Sequence, residues 1–350
     1  MNPRLPRCAV LLAAVAIAQA AIAGESPAPA TGLQRDVTFT EYSPLSASLE
    51  VARRLLSPLA NVEIERLSSK PGQALRAQAI DLTQESFTVY VPPVAPPQGY
   101  GLLVFIPPWE KGALPGGWAG VLDQHGVIFV SASKSGNDEK ILDRRIPLAL
   151  LGAYNIMQRY PVDKDRVYVG GLSGGSRVAM RAALGYPDLF HGALLNAGSD
   201  PIGDDQALMP PDDLFQRFQS STLLAYVTGA NDSWNIQHDV GSRHSMDEWC
   251  VFGTSVEMMQ NASHEIAPPF YLGGALTTLD KGPKISAERL AACRTRVAKE
   301  LAAKLRHVNE LLEQDKPHEA WLALVKIDSR YGGLALPQSL DIAQRIGSRR

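Results

Sequence analysis

The sequence predicts an α/β fold: a mainly parallel sheet with helices on both faces, followed by a helical C-terminal extension. Three observations lead there. Short apolar runs rich in Val, Ile and Leu recur between residues 86 and 259. Stretches with helical spacing and crossover length separate them, as parallel neighbours require. From residue 286 the texture changes to Ala, Leu, Glu, Lys and Arg with a helical period.

Residues 1–23 read as a signal peptide. Arg4 and Arg7 precede an apolar run, and Ala21-Ile22-Ala23 supplies a small-x-small cleavage pattern. The run is too short and alanine-rich for a membrane span of about 20 strongly apolar residues; an uncleaved anchor is the alternative. Export implies a periplasmic or secreted chain. Residues 24–84 read as an N-terminal leader, flexible to about residue 34. A short helix follows within 45–60, carried by Leu49, Val51, Leu55, Leu56 and Leu59.

The main domain is expected over 85–283. Residues 86–91 alternate as a half-buried strand stopped by Pro92-Pro93, and 102–106 form a fully buried strand stopped by Pro107-Pro108. Further strands are expected at 127–130, 167–169, 193–195, 223–227 and 255–259, with crossover helices at 141–160 and 176–184. Residues 284–350 form the extension, with helices at 286–314, 318–328 and 337–346. Asp315-Lys316-Pro317 and Tyr331-Gly332-Gly333 break them. The pattern resembles one tetratricopeptide-like hairpin, too little for a repeat, and packing against the main domain is expected rather than recruitment of a partner.

The net charge of −2 becomes two units more negative without Arg4 and Arg7. No basic stripe interleaved with aromatics suggests a nucleic-acid partner, and no further long apolar stretch suggests a membrane partner after cleavage. Cys8 precedes the apolar run, away from the cleavage site, which speaks against a lipoprotein. That leaves Cys250 and Cys293, which an oxidising compartment would pair; two separate buried thiols are the alternative. His238 and His244 are unsupported by further ligands, so neither a metal nor a cofactor is expected.

Gly171-Leu172-Ser173-Gly174-Gly175 matches the G-x-S-x-G pattern, and its setting between a strand and a helix is the one the pattern needs. The glycines let a strained serine project above the sheet, with helix-start amides aimed at a developing oxyanion. A serine hydroxyl needs a base in reach. Asp232, in the loop after strand 223–227, fits the orienting acid, with Asp239 as the fallback. His264, after strand 255–259, fits the base. The other histidines lie too early or in the extension.

Residues Asp165 through Gly175, then Tyr186-Pro187-Asp188-Leu189-Phe190, Gly192-Ala193 and Ser263-His264, resemble the α/β-hydrolase superfamily. The similarity is to polyhydroxybutyrate-depolymerase-like and feruloyl-esterase-like members, over about residues 85–280. The resemblance implies a Ser-His-Asp triad and an oxyanion hole formed by Gly174 N–H and a loop amide. Members usually carry His-Gly after the strand equivalent to 102–106. This chain has Pro107-Pro108-Trp109, and prolines donate nothing, so Trp109 or Glu110 would supply the second amide. Trp109 and Trp234 are candidate walls for an acyl or aryl group, and residues 200–213 for a short lid. The leading expectation is an exported serine hydrolase of small or polymeric carboxylic esters. A peptidase of the prolyl-oligopeptidase-like type and a catalytically silent binding protein are the alternatives.

Overall fold

The computed structural model describes residues 30–204 and 206–348. The expected signal peptide at 1–23 lies outside the described residues. Along the chain run β1 (Gly32–Val37), α1 (Ser48–Leu55), α2 (Pro58–Ser68), β2 (Phe87–Val91), β3 (Tyr100–Ile106), α3 (Trp118–His125), β4 (Val127–Ala132) and α4 (Ile146–Arg159). There follow β5 (Val162–Leu172), α5 (Gly174–Gly185), β6 (Gly192–Asn196), α6 (Asp212–Ser221), β7 (Leu223–Gly229), α7 (Ser233–Glu248), β8 (Thr254–Met259) and α8 (Pro269–Lys281). The extension holds α9 (Ala287–Glu313), α10 (Pro317–Tyr331) and α11 (Gln338–Gly347).

The strands form one sheet in the order β1-β2-β4-β3-β5-β6-β7-β8. β2 is antiparallel to both β1 and β4, and the remaining pairs are parallel. Alternation along β3 divides the core. Leu102, Val104 and Ile106 join the side chains of α4 and α5 on one face. Leu103 and Phe105 join α3 and α8 on the other. A strand buried on both faces has no polar side, hence the unbroken apolar runs.

Several expectations change, among them the half-buried strand at 86–91, whose β2 residues are all buried. The leader ends at Gly32, where β1 begins and adds an edge strand against β2. The single helix over 45–60 is two, because Leu56 is extended and Ser57 caps a new helix with Pro58 in its first turn. The crossover expected from residue 141 opens with a π-helical turn, Ile141–Arg145, before α4.

The extension packs on the main body. Val308, Leu312, Leu324, Ile327 and Ile342 belong to the same buried cluster as Phe215 and Trp249, and Arg294 Nε donates to Gln219 Oε1 at 2.7 Å. A disulfide joins Cys250, just past α7, to Cys293 in α9, with Cα atoms 5.7 Å apart. The described parts of 200–213 are seated beneath these helices: Ile202, Ala207 and Met209 are buried, and Gly333 N–H donates to the Met209 carbonyl. That segment is part of the packed body, which removes the reason to read it as a lid. Among the described residues no helix is long and apolar enough to cross a membrane.

Candidate active site

Ser173, Asp232 and His264 lie at the carboxyl ends of β5, β7 and β8, on one edge of the sheet. Ligands of open α/β sheets bind at this edge.

Ser173 has φ 56° and ψ −122°, a left-handed conformation that a side chain rarely adopts. Its surroundings hold it there: Ser173 N–H donates to the Asn196 carbonyl at 2.9 Å, and Arg177 N–H donates to the Ser173 carbonyl at 3.2 Å. The turn works only because its neighbours are glycine. A Cβ on Gly175 would run into the Ile106 carbonyl, and one on Gly171 into the Gly175 carbonyl. α5 therefore starts directly behind Ser173 with its first amides unpaired along the chain, the arrangement that favours negative charge.

Asp232 is buried at the start of α7 and caps it, accepting from Asn235 N–H at 3.3 Å. Its other oxygen meets His264 Nδ1 at 2.7 Å. Burial pushes the Asp232 carboxyl up, but the hydrogen bonds of His264 and Asn235 outweigh it and hold the group below its ordinary value. Asp239, the fallback, is engaged elsewhere: it accepts from Ser199 Oγ at 2.5 Å and Thr228 Oγ1 at 2.6 Å, inside the body. Burial raises its carboxyl despite those bonds.

The loops carrying Asp232 and His264 are tied together, since Asn231 N–H donates to the Ala262 carbonyl at 2.9 Å. Asn196, at the end of β6, adds the larger clamp. Its amide donates to the Val227 and Glu265 carbonyls at 3.0 and 3.2 Å, and its side-chain oxygen accepts from Ala267 N–H at 2.7 Å. One buried asparagine thus touches the serine turn through its backbone and the histidine loop through its side chain. Sequence reasoning missed it. The only signal was a polar residue closing an otherwise apolar strand.

The His264 imidazole is half-exposed, at 47 %. Among the described residues no hydrogen bond joins it to the Ser173 hydroxyl. Trp109 and Trp234 are also exposed, Trp234 at 58 %. Trp234 stacks against His238 with ring centroids 3.8 Å apart and has the Arg177 guanidinium 5.0 Å from its ring.

The loop after β3 is pinned by its carbonyls. Arg145 Nη2 donates to the Pro107 carbonyl at 2.9 Å, Asn137 N–H to that of Pro108 at 3.1 Å, and Lys134 N–H to that of Glu110 at 2.5 Å. The Trp109 amide donates to no group among the described residues. The Asn137 side chain lies against Gly174 and receives a long bond of 3.4 Å from Arg145. Arg145 is buried with no carboxylate at hydrogen-bond distance among the described residues, and burial lowers its guanidinium to about 10. Trp118, at the far end of this loop, donates to the Ala267 carbonyl at 2.9 Å and so ties it to the base loop.

This arrangement of sheet, serine turn and edge loops decides the architecture. The chain has the α/β-hydrolase fold. It is similar to a poly(3-hydroxybutyrate) depolymerase from Ralstonia pickettii, 29 % identical over 98 residues, which cover 24 % of this chain and 20 % of that protein. The match therefore spans about a fifth of the relative's length. Among solved structures it is similar to a poly(3-hydroxybutyrate) depolymerase from Bordetella parapertussis, at 14 % identity and TM-score 0.42, covering 60 % of this chain and 88 % of that one. An acetyl xylan esterase from Aspergillus awamori gives 13 % identity and TM-score 0.42, covering 57 % and 94 %. A dipeptidyl peptidase 4 from Porphyromonas gingivalis gives 14 % and 0.40, covering 56 % and 33 %. No protein-family model matches the sequence.

Proposed function

We propose that this chain is an exported serine hydrolase that cleaves carboxylic esters through an acyl-enzyme. The observation that carries the reading is the Asp232–His264 pair, 2.7 Å apart, on the sheet edge where Ser173 occupies its strained turn. In this reading His264 Nε2 takes the Ser173 proton as Oγ attacks the ester carbonyl, and the imidazolium is stabilised by Asp232. The N–H groups of Gly174 and Trp109 receive the developing oxyanion. The imidazolium returns the proton to the departing alcohol, and water releases the acyl group by the same steps. Contact between base and nucleophile in such sites often tightens only once substrate is bound. The half-exposed imidazole, with Trp109 and Trp234 as apolar walls, suits a small ester or the end of a polymeric one, and the depolymerase relative points the same way. Residues 1–23 support export.

The test is turnover of a p-nitrophenyl ester series by the purified protein beside Ser173→Ala and Asp232→Asn. Ser173→Ala should abolish hydrolysis, and Asp232→Asn should lower kcat by up to about 10⁴-fold, because the wrong tautomer then faces the serine. Equal rates in wild type and Ser173→Ala would refute the reading, and cleavage of peptides alone would reassign it to a peptidase.

A further inference from the structure

We infer that Asn235 and Arg177 are positioning residues for the acid–base pair: Asn235 locks the Asp232 carboxylate toward His264, and Arg177 locks Asn235. The inference rests on the triad reading above and adds two residues to it.

Asn235 is 2 % exposed, and both ends of its amide are used. Its Nδ2 lies 2.7 Å from Asp232 Oδ2, and its Oδ1 accepts from Arg177 Nη2 at 3.1 Å. Arginine can only donate and a carboxylate can only accept, so the amide has one satisfied orientation. The same logic fixes the histidine. Nδ1 stands 2.7 Å from Asp232 Oδ2, while Asn235 Nδ2, 2.9 Å from the ring nitrogen, is itself a donor and bonds the carboxylate rather than the ring. A proton on Nδ1 satisfies the carboxylate and leaves Nε2 bare to act as base. Arg177 is anchored in turn: Nη1 contacts the Ser199 carbonyl and Asp200 Oδ1, each at 2.5 Å. Arg177 stands one helical turn beyond Ser173 in α5, so the helix that carries the nucleophile also braces the acid.

A purely structural role does not account for this geometry. The α7 cap is already made by Asn235 N–H on Asp232 Oδ1. The side-chain amide instead reaches Oδ2, the oxygen that faces the base. Other charged groups around the pair are Asp200 beside Arg177, Asp239 with Arg243 in α7, and Glu265 next to His264 in the chain. Without the Asn235 amide, Oδ2 keeps one donor, attracts the imidazolium more strongly, and is free to turn. The acidic limb of the rate should then move to higher pH, and the loss should fall on kcat, since Asn235 bonds the acid and not the substrate.

The test is the second-order labelling rate of Ser173 by a fluorophosphonate as a function of pH, with kcat and KM on a p-nitrophenyl ester. Asn235→Ala should slow labelling by about 10- to 100-fold, the factor a lost bond to a charged group converts to. It should also move the acidic limb to higher pH with KM little changed. Arg177→Met should shift the limb the same way by less, and Arg177→Lys should restore part of the rate. In the unmutated protein, the Asn235 side-chain amide resonances should move with the His264 titration by NMR, a readout independent of whether any variant folds. Labelling of the wild type with an unmoved limb in Asn235→Ala, or amide resonances indifferent to that titration, would overturn the inference alone. Failure of the wild type to label would bring down the triad reading and this inference with it.

Discussion

Arg54, in α1, meets Asp188 just past α5 in a two-pronged pair of 2.6 and 2.9 Å. The same guanidinium holds Glu50 at 2.6 Å and lies 4.7 Å from the Tyr186 ring centre. A buried arginine is tolerated here because two carboxylates and a carbonyl surround it. The pair explains why the Tyr-Pro-Asp stretch is built as it is: the tyrosine ring and the aspartate together receive a helix from the N-terminal segment.

Glu50 should make stability depend on pH. Arg53 lowers its carboxyl against the opposing effect of burial, Arg54 adds to the lowering, and the group rests at about 2. Between that value and the ordinary glutamate range the folded chain binds fewer protons than the unfolded one. The stabilisation is therefore complete above about pH 4.5 and fades as pH falls toward about 2. Paired thermal melts should find Glu50→Gln less stable than wild type at pH 6 and the two alike at the acid extreme. A gap that stays constant with pH would exclude this account.

Asn196→Ala should damage fold and activity together. It strands the buried Ala267 amide and removes a donor from the Glu265 carbonyl, at a cost of about 1–3 kcal/mol, while the Val227 carbonyl keeps the Ala197 N–H. It also frees the loop that holds His264, so kcat should fall well beyond what the lost stability explains at a temperature where the variant is folded. Urea unfolding and ester turnover on the same sample test both halves, and full activity in a folded variant would show that the base loop needs no clamp.

Breaking the disulfide should cost stability with little effect on chemistry. Its 43-residue separation corresponds to about 4 kcal/mol of loop entropy removed from the unfolded chain. A Cys250→Ser, Cys293→Ser double variant should unfold at lower urea concentration while retaining kcat, and reductant should reproduce the shift in the wild type. An unchanged midpoint would mean that packing of α9 alone holds the extension.

The sequence disclosed what burial makes regular. β3, β4, β6, β7 and the second half of β5 are covered on both faces, so their apolar runs stand out, and the serine turn announces itself because glycine is sterically required there. β1 escaped notice: its residues, Gly-Leu-Gln-Arg-Asp-Val, are exposed or half-buried and become a strand only because β2 offers an edge. Asp232 and Asp239 could be ranked by position, but both lie past β7, and only the structure sends one to the imidazole and the other to Ser199 and Thr228. Asn235 and Arg177 left no mark, and Asn196 only that of a polar residue closing an apolar strand. Single polar residues carry no period, and their roles are made by partners up to 71 positions away.

The bridge between residues 250 and 293 has one more result. The segment linking α8 to α9 falls inside the closed loop, so a protease that nicks it yields two pieces still covalently attached. The cut chain would migrate as one species without reductant, and its three final helices could not drift away from the main body.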